Sequence, residues 1–321
     1  MPPRLPQPAC YVPFAEGRYD VRPGLFRFGH DFGNGAADRQ VCQLDLTFCK
    51  YRDEKQRARG EQLHKYYLTD RLGPETATCV MQFLVEALVR DHPGWFAVER
   101  CGERSALRCA LSRDSLCFDR DWRLDGVASE IDAQPHYFDA LDALACQVQE
   151  DLAVVQIDRN THRAAALHVC FPSAWSPAEK IGLNFAAIHE PVPHAEGMNR
   201  RGAELARTMV GAKDGLVRFV WGITTDPRLN HHPQAWQSAP FDPARPSALL
   251  RVERQTILGF PDVAASLFLI RTYLTDCRQI KKDHLMRDQL CAAISSMSHA
   301  SLVYKGLDND RDALLDWLMA T

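Results

Sequence analysis

Asp151-Leu-Ala-Val-Val-Gln-Ile-Asp158, the link Arg159-Asn160, and Thr161-His-Arg-Ala-Ala-Ala-Leu-His-Val-Cys-Phe171 form the stretch that decides the fold. Two apolar runs, Asp151–Asp158 and Ala164–Phe171, flank the polar Asp158-Arg-Asn-Thr161, which reads as a hairpin turn. Three further β-like runs follow at Leu216–Thr224, Ala248–Thr256 and Ala264–Leu274. Helical periodicity separates them, so the class is α+β, with an antiparallel sheet and its core over about residues 150–275.

Outward from this core, the spacing predicts helices over about Glu54–Arg71, Pro74–Asp91 and Tyr137–Gln149, then Met198–Val210, Ile280–Met297 and Asp310–Met319. Cys101–Ser115 reads as extended and peripheral, and Pro177–Phe185 as part of the connection between the second and third strands. Residues 1–40, rich in Pro, Gly and Arg, read as an irregular arm, and 41–321 as a single domain with helical extensions. The third and fourth strands are joined by Asp226–Ser247, an irregular excursion with five prolines and the pair His231-His232. Loops of that length are usually functional or mobile.

The 321 residues carry a net charge of −3, with 46% hydrophobic and 25% charged residues. That balance gives no electrostatic footing for nucleic acid or an anionic membrane. No apolar run reaches the roughly 18 residues of a membrane span, and the first residues lack the apolar core of a secretory signal. A cytoplasmic protein is expected. The 11 cysteines contain no C-x-x-C pair, which argues against a zinc ribbon, a cysteine-ligated iron–sulfur cluster or covalent c-type haem attachment. Cys146 and Cys170 sit in apolar runs and are expected to pack as small hydrophobes.

His189 follows an apolar run and precedes Pro191-Val-Pro193. An imidazole on a stiff, apolar-backed segment suits an axial ligand to haem iron, whose face must stay dry. The plainer reading is a loop or capping histidine. His168, on the second predicted strand, and His194, just past the prolines, compete for the same role. Strand alternation puts Arg251, Glu253 and Gln255 on one face and Val252, Arg254 and Thr256 on the other. Arg218 and Trp221, three positions apart, take opposite faces; Arg271 and Tyr273 share one. An inward Arg and Glu are costly unless paired or working on a ligand; a surface ion pair is the alternative. His231-His232 lacks the further ligands of a metal site, Gly211-Ala-Lys-Asp-Gly215 reads as a turn, and no hydrolase or zincin motif is present.

Four ordered segments carry a resemblance: Val148-Gln-Glu-Asp-Leu152; Phe171-Pro-Ser-Ala-Trp175 with Lys180 and Gly182; Ile188-His-Glu-Pro-Val-Pro193; and Leu250-Arg-Val-Glu-Arg-Gln-Thr256 with Phe268-Leu-Ile-Arg-Thr-Tyr273. Together, over roughly residues 40–295, they resemble the haem-dependent oxidative N-demethylase (dimethylamine monooxygenase alpha-subunit-like) family. One position departs: the family's R-x-N-W is here Arg218-Phe-Val-Trp221, with Val220 in place of asparagine.

The resemblance implies a PAS-like domain, with flanking helices walling a pocket for non-covalent haem b. It implies activation of O2 at iron and oxidation of a small-molecule amine. Electrons would come from NADPH through a separate flavin and iron–sulfur (ferredoxin-type) reductase, since the chain has no G-x-G-x-x-G and no cysteine cluster. On this basis His189 is expected to hold the iron, with Lys180 and Trp221 at the cofactor and Arg218, Arg251, Glu253 and Arg254 shaping the distal pocket. Val220 points to an amine other than dimethylamine. A haem-binding PAS-type sensor or a non-catalytic subunit is the alternative.

Overall fold

The computed structural model describes residues 4–131, 136–159 and 161–320. Asn160 of the expected hairpin turn, Met1–Pro3 of the expected arm and Thr321 lie outside the described residues. The chain runs β1 (Phe26–Arg27), α1 (Phe48–Tyr66), β2 (Tyr67–Thr69), α2 (Pro74–Asp91), β3 (Phe96–Cys101), β4 (Arg104–Cys109), β5 (Asp114–Phe118), β6 (Leu124–Ser129) and α3 (Ala140–Ala145). It continues through β7 (Asp151–Asp158), β8 (Thr161–His168), α4 (Phe185–His189), α5 (Glu196–Arg200), α6 (Gly202–Gly211), β9 (Leu216–Thr224), β10 (Leu249–Phe260) and β11 (Ala265–Asp276). Four helices close it: α7 (Cys277–Lys282), α8 (His284–Ser295), α9 (His299–Lys305) and α10 (Arg311–Met319).

This is an α+β protein with antiparallel sheets. The large sheet has the order β1-β9-β10-β11-β7-β8-β2, and β3–β6 form a separate meander. The expected hairpin is present, with Asp158 opposite Thr161 and a register shift between Val154 and Val155. The five expected strands are β7 to β11, and Pro74–Asp91 is a helix with Pro74 in its first turn.

Differences from the sequence reading have local causes. The helix expected over Tyr137–Gln149 is confined to α3, because Gln147, Gln149 and Glu150 turn their polar ends inward. Gln149 accepts from the Asp45 amide at 2.9 Å, and Glu150 from the Gln43 amide at 2.7 Å. The helix expected to reach Arg71 stops at Tyr66, where Tyr67 pairs with His168 as β2. Asp283 divides the expected Ile280–Met297 helix by capping α8 through the Met286 amide at 3.0 Å. The meander was legible only as one extended stretch, because its strands are short and β6 is half-exposed.

The two faces of the large sheet differ. On the core face, Trp221, Val252, Leu258, Leu267, Leu269, Leu152 and Val154 are buried. Against them pack α2, the meander, the C-terminal helices, and Tyr11 and Phe14 of the N-terminal segment. On the other face, Arg218, Val220, Gly222, Glu253, Gln255, Ile270 and Phe268 are only half-buried. There α6 covers only one part, with Ala206 and Met209 against Ile257. Gly259 permits that approach: a Cβ there would lie 2.3 Å from the Val210 carbonyl oxygen. Between α4 and Lys305 of α9 the rest of this face is only half-buried, and this open stretch is the cleft.

Candidate functional site

Helix α4 positions the first group. Asn184 caps it by accepting the Ala187 amide at 3.0 Å, and Pro191 ends the helical run. Ile188 packs against the cluster of Ala164, Leu167 and Val169, and Phe185 against that of Ala206, Met209 and Ile257, so α4 lies on the half-open face. His189 stacks on Phe185 at 4.2 Å, and its Nδ1 lies 2.8 Å from the Phe185 carbonyl oxygen. A carbonyl can only accept, so Nδ1 carries the proton and Nε2 keeps its lone pair. Among the described residues Nε2 has no hydrogen-bond partner. Burial, with Arg218 and Lys180 nearby, pushes the His189 pKa down to about 4 against the opposing Phe185 carbonyl, so the ring is neutral at physiological pH. Lys180 donates to the Ile188 carbonyl at 2.9 Å, which holds its ammonium at the C-terminal end of α4.

The sheet supplies the second group. Register sets Arg218 opposite Gln255, Val220 opposite Glu253 and Gly222 opposite Arg251. The Arg218 Nε is buried without a partner, and burial lowers this guanidinium's pKa against the pull of Glu253. Glu253 accepts from Gln255 at 3.2 Å and stands 3.9 Å from Arg251. Arg251 itself is largely committed: it donates to the Leu229 carbonyl at 3.0 Å and the Phe171 carbonyl at 2.7 Å, tying the strand to two loops. The residue that sequence reasoning missed is Lys305, on α9. Burial pushes its pKa down to about 8 against the pull of Glu253, and Arg218 and Arg251 add to the depression. A signal for α9 existed: Ser298 caps it through the Ser301 amide at 3.1 Å, and Gly306 ends it at φ 66°.

The structure thus brings His189, Lys180, Arg218 and Glu253 to one cleft, with Arg251 at its margin. It does not bring Arg254 or Trp221 there. Arg254 is on the core face, donating to the Gln40 carbonyl at 3.1 Å and lying 5.9 Å from the Phe28 ring. Trp221 packs against Phe14 and Tyr19 on that same side, at 5.4 and 5.7 Å. Arg271 and Tyr273 share the core face too, bonded to Asp45 and Gln43, both at 2.5 Å.

The rival histidines His168 and His194 are occupied, whereas the Nε2 of His231 is buried without a partner. His168 Nε2 meets Asp142 at 2.9 Å, and Asp142 also takes a bidentate contact from Arg59 at 2.6 and 2.7 Å. Asp142, Cys146 and His168 lie close enough to hold a metal ion. However, Arg59 already neutralises the carboxylate, and burial pushes the Cys146 thiol up to about 12, so this is a paired core cluster. His194 contacts Ser298 at 2.8 Å near the surface. His231 stacks on Trp236 at 4.3 Å, and His232 meets Ser176 at 3.1 Å.

The sequence profile of one family, described as haem-dependent oxidative N-demethylase, alpha subunit-like, matches residues 34–315. The chain belongs to that family. The segments that carry the resemblance are also tie points of this fold. Gln149 and Glu150 clip the 43–45 segment, and Asp151 accepts the Cys170 and Phe171 amides at 2.9 and 2.8 Å. Among the described residues, no helix is long and apolar enough to cross a membrane.

Proposed function

We propose that the half-open sheet face binds haem b, with His189 Nε2 on the iron, and that the loaded protein oxidises an amine at a carbon beside nitrogen. The observation that carries this reading is a neutral imidazole with Nδ1 committed to a carbonyl and Nε2 free, set over a half-covered sheet face beside the unpartnered Arg218. Val220, Ile270 and Phe268 supply an apolar surface for a planar macrocycle. A hydrogen-bonded ligand histidine is the usual way to fix tautomer and ring orientation at a metal. A five-stranded antiparallel core, β7–β11, with α4 to α6 walling one face supports the PAS-like reading and a single domain over 41–321, with 1–40 as its arm.

Bound haem would supply oxygen activation. The net reaction takes an N-alkylated amine, O2, two electrons and two protons to the dealkylated amine, an aldehyde and water. One oxygen atom enters the aldehyde and the other leaves as water. Electrons originate in NADPH and arrive from a separate flavin and iron–sulfur reductase; the family's description as an alpha subunit supports a partner in trans. In this chain, the Phe185 carbonyl holds the His189 tautomer, and Lys180 and Arg218 would hold the propionates, for which guanidinium geometry is well suited. Glu253 faces the substrate nitrogen, with Arg251 holding the carboxylate's strand in place. Arg254 and Trp221 act from behind the sheet, as supports of β10 and β9. Val220 replaces a polar group with an apolar wall and favours an amine other than dimethylamine.

A pyridine haemochrome assay on the purified chain should show haem b, and His189→Ala should abolish the Soret band or shift it. A band unchanged in position and intensity removes His189 from the iron. Consumption of NADPH-derived electrons that rises on adding amine separates an enzyme from a sensor or a non-catalytic subunit, which would show none.

A further inference from the structure

We propose that Lys305 is a carboxylate-binding residue of the cleft, so that the amine oxidised there carries a carboxylate of its own: an N-alkylated amino acid. Glu253 faces its ammonium and Lys305 its carboxylate. This rests on the amine-oxidising reading above. The geometry starts at Gly222, where a Cβ would sit 3.6 Å from Lys305 Cδ and 3.9 Å from its Nζ. The lysine stem therefore lies on bare backbone of β9 and delivers its ammonium to the row Arg218–Val220–Gly222. The aromatic rings of Tyr19 and Tyr304 stand 5.9 and 5.6 Å from that ammonium.

Among the described residues Lys305 has neither a hydrogen bond nor an ion pair. A half-buried ammonium with only ring faces beside it, and no hydrogen bond or counter-ion, is costly, and such a group is explained by a ligand that supplies one. The other cations of the cleft are already assigned. Arg251 has two carbonyls, while Glu253, with one bond from Gln255 and Arg251 at 3.9 Å, keeps a carboxylate oxygen for a ligand's ammonium. The two cations that act on His189 are Lys180 and Arg218, which match the two propionates of a haem. Lys305 is the cation left over; like Arg218 it feels Glu253, but it is not among the charges acting on His189. A positive and a negative group beside one apolar wall, Val220, complement a zwitterion better than a simple dialkylamine.

The test is calorimetric binding of N-methylglycine, N-methylalanine and dimethylamine to wild-type protein, Lys305→Met, Lys305→Arg and Gly222→Leu, each haem-free and after haem reconstitution. Wild-type protein should bind the two amino acids about tenfold to a hundredfold more tightly than dimethylamine, the span of a charge-assisted hydrogen bond. Lys305→Met should erase that preference, Lys305→Arg should keep part of it, and the Soret band should be the same in all. Gly222→Leu displaces the stem without changing the charge and should erase the preference as well. It also stands in should Lys305→Met fail to fold. Equal affinity for dimethylamine in wild-type protein overturns the proposal. So does a Lys305→Met protein that loses haem while keeping the preference, since its lysine then served a propionate. Failure of the haem reading looks different: no variant takes up haem, while the preference in haem-free protein still reports on Lys305.

Discussion

The two faces of one sheet treat buried charge in opposite ways. On the core face, Arg59, Asp142 and His168 satisfy one another at 2.6 to 2.9 Å, and Arg271 pairs with Asp45. On the cleft face, Arg218 and Lys305 find no partner among the described residues, and His189 leaves Nε2 free. Both faces hold cations and a histidine, so residue type and burial do not separate structure from function here. Pairing does. Arg254, with one carbonyl bond and its Nε and Nη1 unpartnered, is the exception on the core face; elsewhere a cation matched within the chain maintains the fold, and one left unmatched is available to a ligand.

Breaking the paired face should cost most. Asp142→Ala strands Arg59 and His168 in the core, and about 3–5 kcal/mol of stability should be lost in urea unfolding. If the loss stays under about 1 kcal/mol, the cluster is not the structural half of the contrast. The same carboxylate contributes to acid sensitivity. Burial alone would raise its pKa, but hydrogen bonds and charge from His168 and Arg59 outweigh that and hold it well below the usual carboxylate range. Its stabilisation is thus complete above the unfolded pKa of about 4 and disappears as pH falls further. Stability measured from pH 6 down to 2 should drop below about pH 4, and less steeply in Asp142→Asn.

A smaller effect is expected where α6 closes part of the cleft face. Gly259→Ala sets a Cβ against the Val210 carbonyl and should cost about 1–3 kcal/mol; an unchanged midpoint would show that α6 is free to shift. The least effect on stability belongs to the unmatched cation. Arg218→Met should leave the haem-free protein within about 1 kcal/mol of wild type, or make it more stable, while weakening haem retention. A large destabilisation would mean that Arg218 serves the fold after all.

Much of the fold was legible in the sequence. Strand alternation and the hairpin link identified β7 to β11, and Pro74 with His92-Pro93 bracketed α2, because each depends on neighbours along the chain. The alternation at 251–256 also set Glu253 and Arg254 on opposite faces, although both were expected at the pocket. The meander and α9 were less legible, being short and in part exposed, and Lys305 was overlooked with α9.

His189 could be nominated from its apolar run and the prolines that follow, and the family likeness could be read from four ordered segments. Whether a given charge meets a partner could not be read from the chain order. Asp142 reaches Arg59 and His168 across 83 and 26 residues, and Lys305 reaches Gly222 from the far end of the chain. Sequence determines which residues share a strand face, since that period is local. Only tertiary structure decides which charges are neutralised, because the neutralising groups come from distant segments.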